Sequence, residues 1–293
     1  MKQATPLHTP DGVALHLQHW PAPGAARGWV QIVHGLGEHI GRYADVAAAL
    51  NAQRWHVIGH DHRGHGRSGG PRGGLPQPDA LLADVAQVHD HAQMHQQRQL
   101  QPAALGAQVL LGHSLGGLVA ARFVAESLAA APAPWARRFD ALALSSPALD
   151  IGMRPLQKLL LALLGGLAPQ LRLGNCLKPA WISRDPAVVQ AYTADPLVHD
   201  RVTPALVRFM LDAGTAVQAA APRWAVPTLL MWAGADRCVL AAGSATFAAA
   251  APPSAVTAQA WPGLAHEIFN EPERQQLLAR LTDWLARLPV PQP

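Results

Sequence analysis

Charge, cysteine and long apolar runs are all scarce in this chain, and each scarcity removes a class of protein. Asp, Glu, Lys and Arg make up only 14% of the 293 residues, and the formal net charge is +4. Although the pI is near 9.6, the arginines are dispersed and no basic-aromatic platform accompanies them, so no nucleic-acid partner is expected. Cys176 and Cys238 are the only cysteines. Two are too few for a disulfide framework, and they are expected to be unpaired small core residues. No run reaches the ~18 apolar residues of a membrane span, and the polar start from Met1 to Pro6 lacks the apolar stretch of a secretion signal. The expected location is therefore the cytoplasm. What is plentiful is hydrophobic residues, at 49%, enough to bury a large core in one catalytic domain carrying an insertion.

The densest signal is Val109-Leu110-Leu111-Gly112-His113-Ser114-Leu115-Gly116-Gly117-Leu118. It reads as a buried strand, a serine flanked by glycines in a G-x-S-x-G pattern, and the start of a helix running from Leu118 to about Ala131. A serine on so sharp a strand-to-helix turn needs small residues on both sides, because a Cβ there would strike the neighbouring strand or helix. The helix behind it turns unpaired N–H groups toward any charge developing on a substrate oxygen.

Apolar runs and amphipathic stretches alternate along the chain. Strands are predicted at Val13-Leu15-Leu17, Trp29–Val33, Trp55–Gly59, Ala141–Ser145, Val226–Trp232 and Val256–Trp261. Helices are predicted at Tyr43–Ala52, Asp79–Gln97 and Pro272–Leu288, with loop punctuation at Ala129–Pro134 and Ala249–Pro253. Such alternation implies an α/β fold with a mostly parallel sheet covered by helices on both faces, and active-site residues just beyond the strand ends. Between Pro147 and Pro222 the alternation gives way to helical patterns at Pro155–Leu167, Pro186–Thr193 and Pro204–Ala220. The expected division is a catalytic core of residues 1–147 and 223–293 with a helical cap over 148–222.

A nucleophilic serine needs a base and an orienting carboxylate. On folds of this kind the acid precedes the histidine and both follow strands. Asp236, in the turn after Pro227–Trp232, fits the acid; His266, in the loop after Val256–Trp261, fits the base. His113 adjoins the serine and is expected to point away from it, His60, His62 and His65 precede Ser114, and Asp200 and Asp212 fall in the insertion. The oxyanion hole requires two backbone donors, and these are expected from Leu115 and, in the His34–His39 loop, Leu36. Asp185 and Asp195, each before a proline, are read as helix N-caps. His91 and His95 lie at i,i+4, and His60, Asp61, His62 and His65 cluster, but neither set offers a complete ligand geometry. No metal and no cofactor are expected.

His34-Gly35-Leu36-Gly37-Glu38-His39 with Arg42-Tyr43, Asp61-His62-Arg63-Gly64-His65-Gly66-Arg67-Ser68, the serine motif, Ser183-Arg184-Asp185-Pro186, Tyr192 and Asp195-Pro196-Leu197 together resemble the monoacylglycerol lipase and lysophospholipase family of α/β-hydrolases. The resemblance runs nearly end to end. It implies the α/β-hydrolase fold with a helical cap, a Ser114–Asp236–His266 triad, and Leu36 and Leu115 amides at the oxyanion. Leu115 stands where that family often has methionine; only its amide would act. The implied activity is hydrolysis of a small-molecule acyl ester through an acyl-serine intermediate. Alternatives are another bond type (aminopeptidase, thioesterase or acyltransferase) or a non-hydrolytic ligand receptor. A dehalogenase is disfavoured, since its nucleophile would be an aspartate. In the cap, Leu156, Leu159, Leu160, Leu163 and Leu164 form an apolar stripe. Leu160 and Leu163 are expected to bind acyl chain or a membrane or micelle surface, the alternative being a stripe buried as cap core.

Overall fold

The computed structural model describes residues 6–99 and 106–288, without the side chains of 95–99. Seven strands form the central sheet: β1 (Leu17–Trp20), β2 (Gly28–Val33), β3 (Trp55–His60), β4 (Ala107–His113), β5 (Ala141–Ser145), β6 (Thr228–Ala233) and β7 (Val256–Trp261). Their order is β7-β6-β5-β4-β2-β3-β1, with β1 antiparallel to β3 and all other pairs parallel. Every residue of β2 and β5 is buried, as expected of strands covered on both faces. Side-chain alternation then sorts the apolar residues. Trp29, Val33, Leu110, Leu142 and Leu230 face one core, with Val30, Ile32, Leu111, Ala143 and Met231 in the other.

The helices are α1 (Ala44–Ala52), α2 (Ala80–Gln99), α3 (Leu115–Ser127), α4 (Pro155–Leu167), α5 (Pro186–Ala194), α6 (Pro204–Ala220), α7 (Ala241–Ala250) and α8 (Arg274–Ala286). Residues of α2, α3, α6 and α7 pack into the first core, and those of α1 and α8 into the second. Leu206, Phe209, Met210, Ala213 and Val217 of α6 share the first core with α3. By contrast α4 buries only Leu161.

Register sets where the site forms. Val33 pairs with Gly112, Gly112 with Leu144, Ser145 with Met231, and Ala233 with Trp261. The carboxyl ends of β2, β4, β5, β6 and β7 therefore lie along one edge, and the loops leaving them converge.

Local differences from the sequence reading have physical causes. The Val13-Leu15-Leu17 strand breaks at His16, whose N–H donates to Ser68 Oγ and whose carbonyl accepts from Asp61 N–H. Ala14–Leu15 pairs instead with Leu7–His8. Helix α3 stops at Ser127, whose hydroxyl donates to the Val124 carbonyl, rather than reaching Ala131. Helix α7 runs to Ala250 through residues read as loop, because its Ala, Gly and Ser give no apolar face against a polar one. Asp185 does cap α5, accepting from Ala187 N–H. Asp195 caps no helix start: it ends α5 and accepts from Leu197 N–H within its own turn. Cys176 and Cys238 are both free; Cys176 is exposed and Cys238 half-buried, so neither is fully in the core. Among the described residues no helix is long and apolar enough to cross a membrane.

Candidate active site

Ser114 joins β4 to α3 with φ 54° and ψ −120°. A non-glycine residue held there costs about 1–3 kcal/mol. The strain is outweighed by what flanks it: Leu115, Leu118, Val119 and Phe123 of α3 are fully buried, each such side chain contributing roughly 1.5–3 kcal/mol. The glycines are needed for steric reasons. A Cβ on Gly116 would run into the Val33 and His34 carbonyls, and one on Gly112 into the backbone of Gly116 and Gly117. The turn is anchored by Ser114 N–H donating to the Ser145 carbonyl at 3.0 Å.

Three of the expected residues meet in one hydrogen-bonded line. His266 Nε2 is 2.8 Å from Ser114 Oγ, and His266 Nδ1 is 2.7 Å from Asp236 Oδ2. A carboxylate only accepts, so Nδ1 carries the proton and the Nε2 lone pair faces the serine hydroxyl. The other carboxylate oxygen, Asp236 Oδ1, accepts from Cys238 N–H at 2.8 Å and Val239 N–H at 3.1 Å. Burial disfavours the Asp236 charge, but the bonds from His266 and these amides outweigh it and hold the carboxyl below its ordinary pKa. Asp236 is the carboxylate that bonds the imidazole, whereas of the competing acids Asp200 pairs with Arg201 and Asp212 with Arg208.

His113 makes no hydrogen bond to Ser114 but packs beside the base candidate. Its ring lies 4.8 Å from that of His266, and its Nδ1 bonds the Ser145 carbonyl at 3.0 Å. Burial, and next the proximity of His266, push its pKa down to about 4. It stays neutral and so places no second positive charge beside His266.

The loop after β2 carries Leu36. Gly35 N–H donates to Glu38 Oε1 at 2.6 Å, and the His34 Nδ1–H to the Gly35 carbonyl at 2.8 Å. His34 Nε2 accepts from His62 N–H at 2.9 Å, which fixes the neutral tautomer, and His62 Nε2–H donates back to the His34 carbonyl at 3.0 Å. Gly37, at φ 77°, offers its carbonyl to His199 N–H, and a Cβ there would collide with the His199 carbonyl. Leu115, whose amide opens α3, is wholly buried.

Sequence reasoning assigned no role to the charged network beneath this loop. Arg42 bonds Glu38 at 2.5 Å and grips both oxygens of Glu267 at 2.7 Å, while Tyr43 donates to Glu38 at 2.7 Å. Burial disfavours the guanidinium charge, yet Glu38 and Glu267 outweigh it and raise the Arg42 pKa. Arg42 thereby ties the Leu36 loop to the His266 loop, and its guanidinium also lies 4.8 Å from the centre of the Tyr192 ring in α5. A further link is His39 Nε2 to Asp195 Oδ2 at 2.8 Å. Glu38, Arg42 and Tyr192 stood inside the quoted motifs, and Glu267 directly follows His266; what the motifs lacked was the pairing.

Above the serine lies a cavity of about 420 Å³, lined by Leu36, Ser114, His266 and Glu267 from the core loops and by Leu177, Ile182, Tyr192 and Val198 from the insertion. Leu160 and Leu163 do not line it; they are 50% and 56% exposed on α4. With Leu156 and Leu159 also exposed, most of the stripe is not buried cap core. In the histidine loop Asp61 binds the Ile40 and Arg67 amides. The His95 side chain lies outside the described residues.

The Hydrolase_4 family, described as serine aminopeptidase, S33, matches residues 24–273. A monoacylglycerol lipase of Mycolicibacterium smegmatis is 33% identical over 282 residues, covering 94% of this chain and 93% of that protein. The crystal structure of Paleococcus ferrophilus monoacylglycerol lipase is 30% identical and superposes with a TM-score of 0.80 over 94% of this chain and 99% of that one. The fold is also that of a Saccharomyces cerevisiae monoglyceride lipase variant solved with a substrate analogue, at 18% identity and TM-score 0.81 over 97% and 96% of the two chains. By these matches across nearly its whole length, the chain belongs to the Hydrolase_4 family of α/β-hydrolases, in the company of the monoacylglycerol lipases that its motifs resemble.

Proposed function

We propose that this chain hydrolyses monoacylglycerols or lysophospholipid-like monoesters through an acyl-serine intermediate, with Ser114 as nucleophile, His266 as base and Asp236 as its orienting partner. The observation that carries this reading is the Asp236–His266–Ser114 line of hydrogen bonds at 2.7 and 2.8 Å, opening onto the 420 Å³ cavity. His266 Nε2 takes the serine proton as Oγ attacks the ester carbonyl, and the imidazolium is stabilised by Asp236. The amides of Leu36 and Leu115 receive the oxyanion, a contribution of a few kcal/mol per donor, roughly 3–4. His266 then protonates the leaving alcohol. Water, deprotonated by the same imidazole, releases the acid and restores the serine.

Within the insertion 148–222, α6 is packed into the core beside α3, and the stretch before it acts as the cap over the cavity. On α4, Leu156, Leu159, Leu160, Leu163 and Leu167 are all at least half exposed, and burying them at a lipid surface while the ester enters the cavity removes that apolar area from water. The acids of the cavity weigh against cleavage of peptides at a free amino terminus, the activity that the family description names. Recognition of an ammonium group needs an uncommitted carboxylate, whereas Glu38 and Glu267 are held by Arg42, Asp195 by His39 and Asp200 by Arg201.

Fluorophosphonate labelling and a series of esters of increasing chain length test the proposal. Ser114 should be labelled in the wild-type chain, and long-chain monoacylglycerols should be turned over with higher kcat/KM than acetate esters. Absence of labelling, or faster cleavage of aminoacyl arylamides than of any monoester, would sink it.

A further inference from the structure

Cys238 follows Asp236 by two residues, and its side chain lines the cavity. One donor atom from each of Asp236, Cys238 and His266 lies within 4.8 Å of the other two, and among the described residues no other three metal-competent side chains are so placed. The imidazole nitrogen on the carboxylate side is Nδ1. In a tetrahedral zinc site, bonds of about 2.0–2.3 Å set donors roughly 3.3–3.8 Å apart, so side-chain movements of about 1 Å bring these three into range. Carboxylate, thiolate and imidazole together form a donor set for Zn²⁺. Burial, and next the charges of Asp236 and Glu267, keep the thiol protonated by pushing its pKa up. The Asp236 carboxylate attracts a dication, and a metal-bound thiol gives up its proton.

We propose that Asp236, Cys238 and His266 Nδ1 form an inhibitory Zn²⁺ site inside the catalytic centre. The inhibition, though not the binding, rests on His266 being the base for Ser114. On binding, Nδ1 loses its proton and gives its lone pair to the metal, while Nε2 takes up a proton from solvent. The Cys238 thiol releases its proton, so one proton leaves per ion bound. The carboxylate and the thiolate balance the two positive charges. Nε2–H now faces Ser114 Oγ as a donor, no lone pair is left to accept the serine proton, and hydrolysis stops.

The test uses the full chain after chelator treatment. Zn²⁺ is titrated into p-nitrophenyl acetate hydrolysis by the wild type, Cys238→Ser and Cys238→Ala, each normalised to its own metal-free rate. Removing the thiolate should raise the half-inhibitory Zn²⁺ concentration by at least about tenfold, since loss of a ligand costs no less than loss of a second-sphere partner. In a Cys176→Ser background, Co²⁺ should produce the near-ultraviolet thiolate-to-cobalt band, and Cys238→Ser should abolish it. Equal zinc sensitivity in all three proteins, or no thiolate band, overturns the site. A band with undiminished hydrolysis would keep the site and overturn the assignment of His266 as base.

Discussion

Acid should unfold this protein at a pH above the carboxylate range, because the histidines around the site are buried in their neutral form. His60, at the end of β3, is fully buried with neither ring nitrogen bonded, 5.3 Å from the His62 ring. Burial, then the charge of Arg63, pushes its pKa down from 6.5 to about 4. Burial, then His60, pushes His62 down to about 3, and His113 is held near 4. All three folded-state values lie below the unfolded one, so as pH falls the unfolded chain takes up protons first. Their stabilisation is complete above about pH 6.5 and is lost as pH falls from there toward 4. At pH 5 each should lose about 2 kcal/mol and the three together about 6, comparable with the whole stability of many proteins, about 5–15 kcal/mol. Ordinary carboxylates contribute little to this window, since they titrate mostly below pH 5. The perturbation is His60→Leu, which removes the titrating ring and its two unpaired nitrogens at similar volume. Urea unfolding followed by circular dichroism at pH 7.5, 6 and 5 reads the result. The loss between pH 7.5 and 5 should shrink by about 2 kcal/mol in the variant. A wild-type loss below about 1 kcal/mol, or identical losses in the two proteins, would refute the reasoning.

Ser114→Ala should abolish fluorophosphonate labelling and lower ester hydrolysis by roughly 10³-fold or more while thermal unfolding stays near wild type; Asp236→Asn should be comparably damaging because it leaves the imidazole in the wrong tautomer. Arg42→Met strands Glu38 and Glu267 in a buried site and should destabilise by about 3–5 kcal/mol. Arg42→Lys keeps the charge but loses the two-pronged grip on Glu267; it should recover most stability yet lower kcat at nearly constant KM, and a purely structural Arg42 would show no such split. Replacing Leu160 and Leu163 by serine should raise KM at least tenfold for monoacylglycerols in vesicles and spare p-nitrophenyl acetate, since each leucine contributes about 1.5–3 kcal/mol when buried; equal losses on both substrates, with a lowered Tm, would make them structural.

The serine elbow was legible because it is a local problem: a strained turn needs Gly112 and Gly116 beside Ser114, between a strand and a helix, within a few consecutive residues. Asp236 and His266 could be chosen from many acids and histidines because the strand-helix alternation marks strand ends, and only residues beyond those ends can reach the serine. The alternation likewise announced the parallel sheet, whereas α7 was silent, since it buries Gly243, Ser244 and Phe247 while its alanines stay exposed or half-buried, which leaves no apolar stripe to read.

What the sequence alone determined, then, is the order of elements and the candidate chemistry, both written in short-range periodicity. Tertiary structure alone decided who pairs with whom. Arg42 and Glu267 are 225 positions apart, and no local pattern states that their loops share one edge of the sheet; that follows from the registers running from β2 through β4, β5 and β6 to β7. Exposure of Leu160 and Leu163 was undecided for the same reason. A helical apolar stripe reads alike whether it meets a core or solvent, and only the placement of α4, touching the body chiefly through Leu161, separates the two.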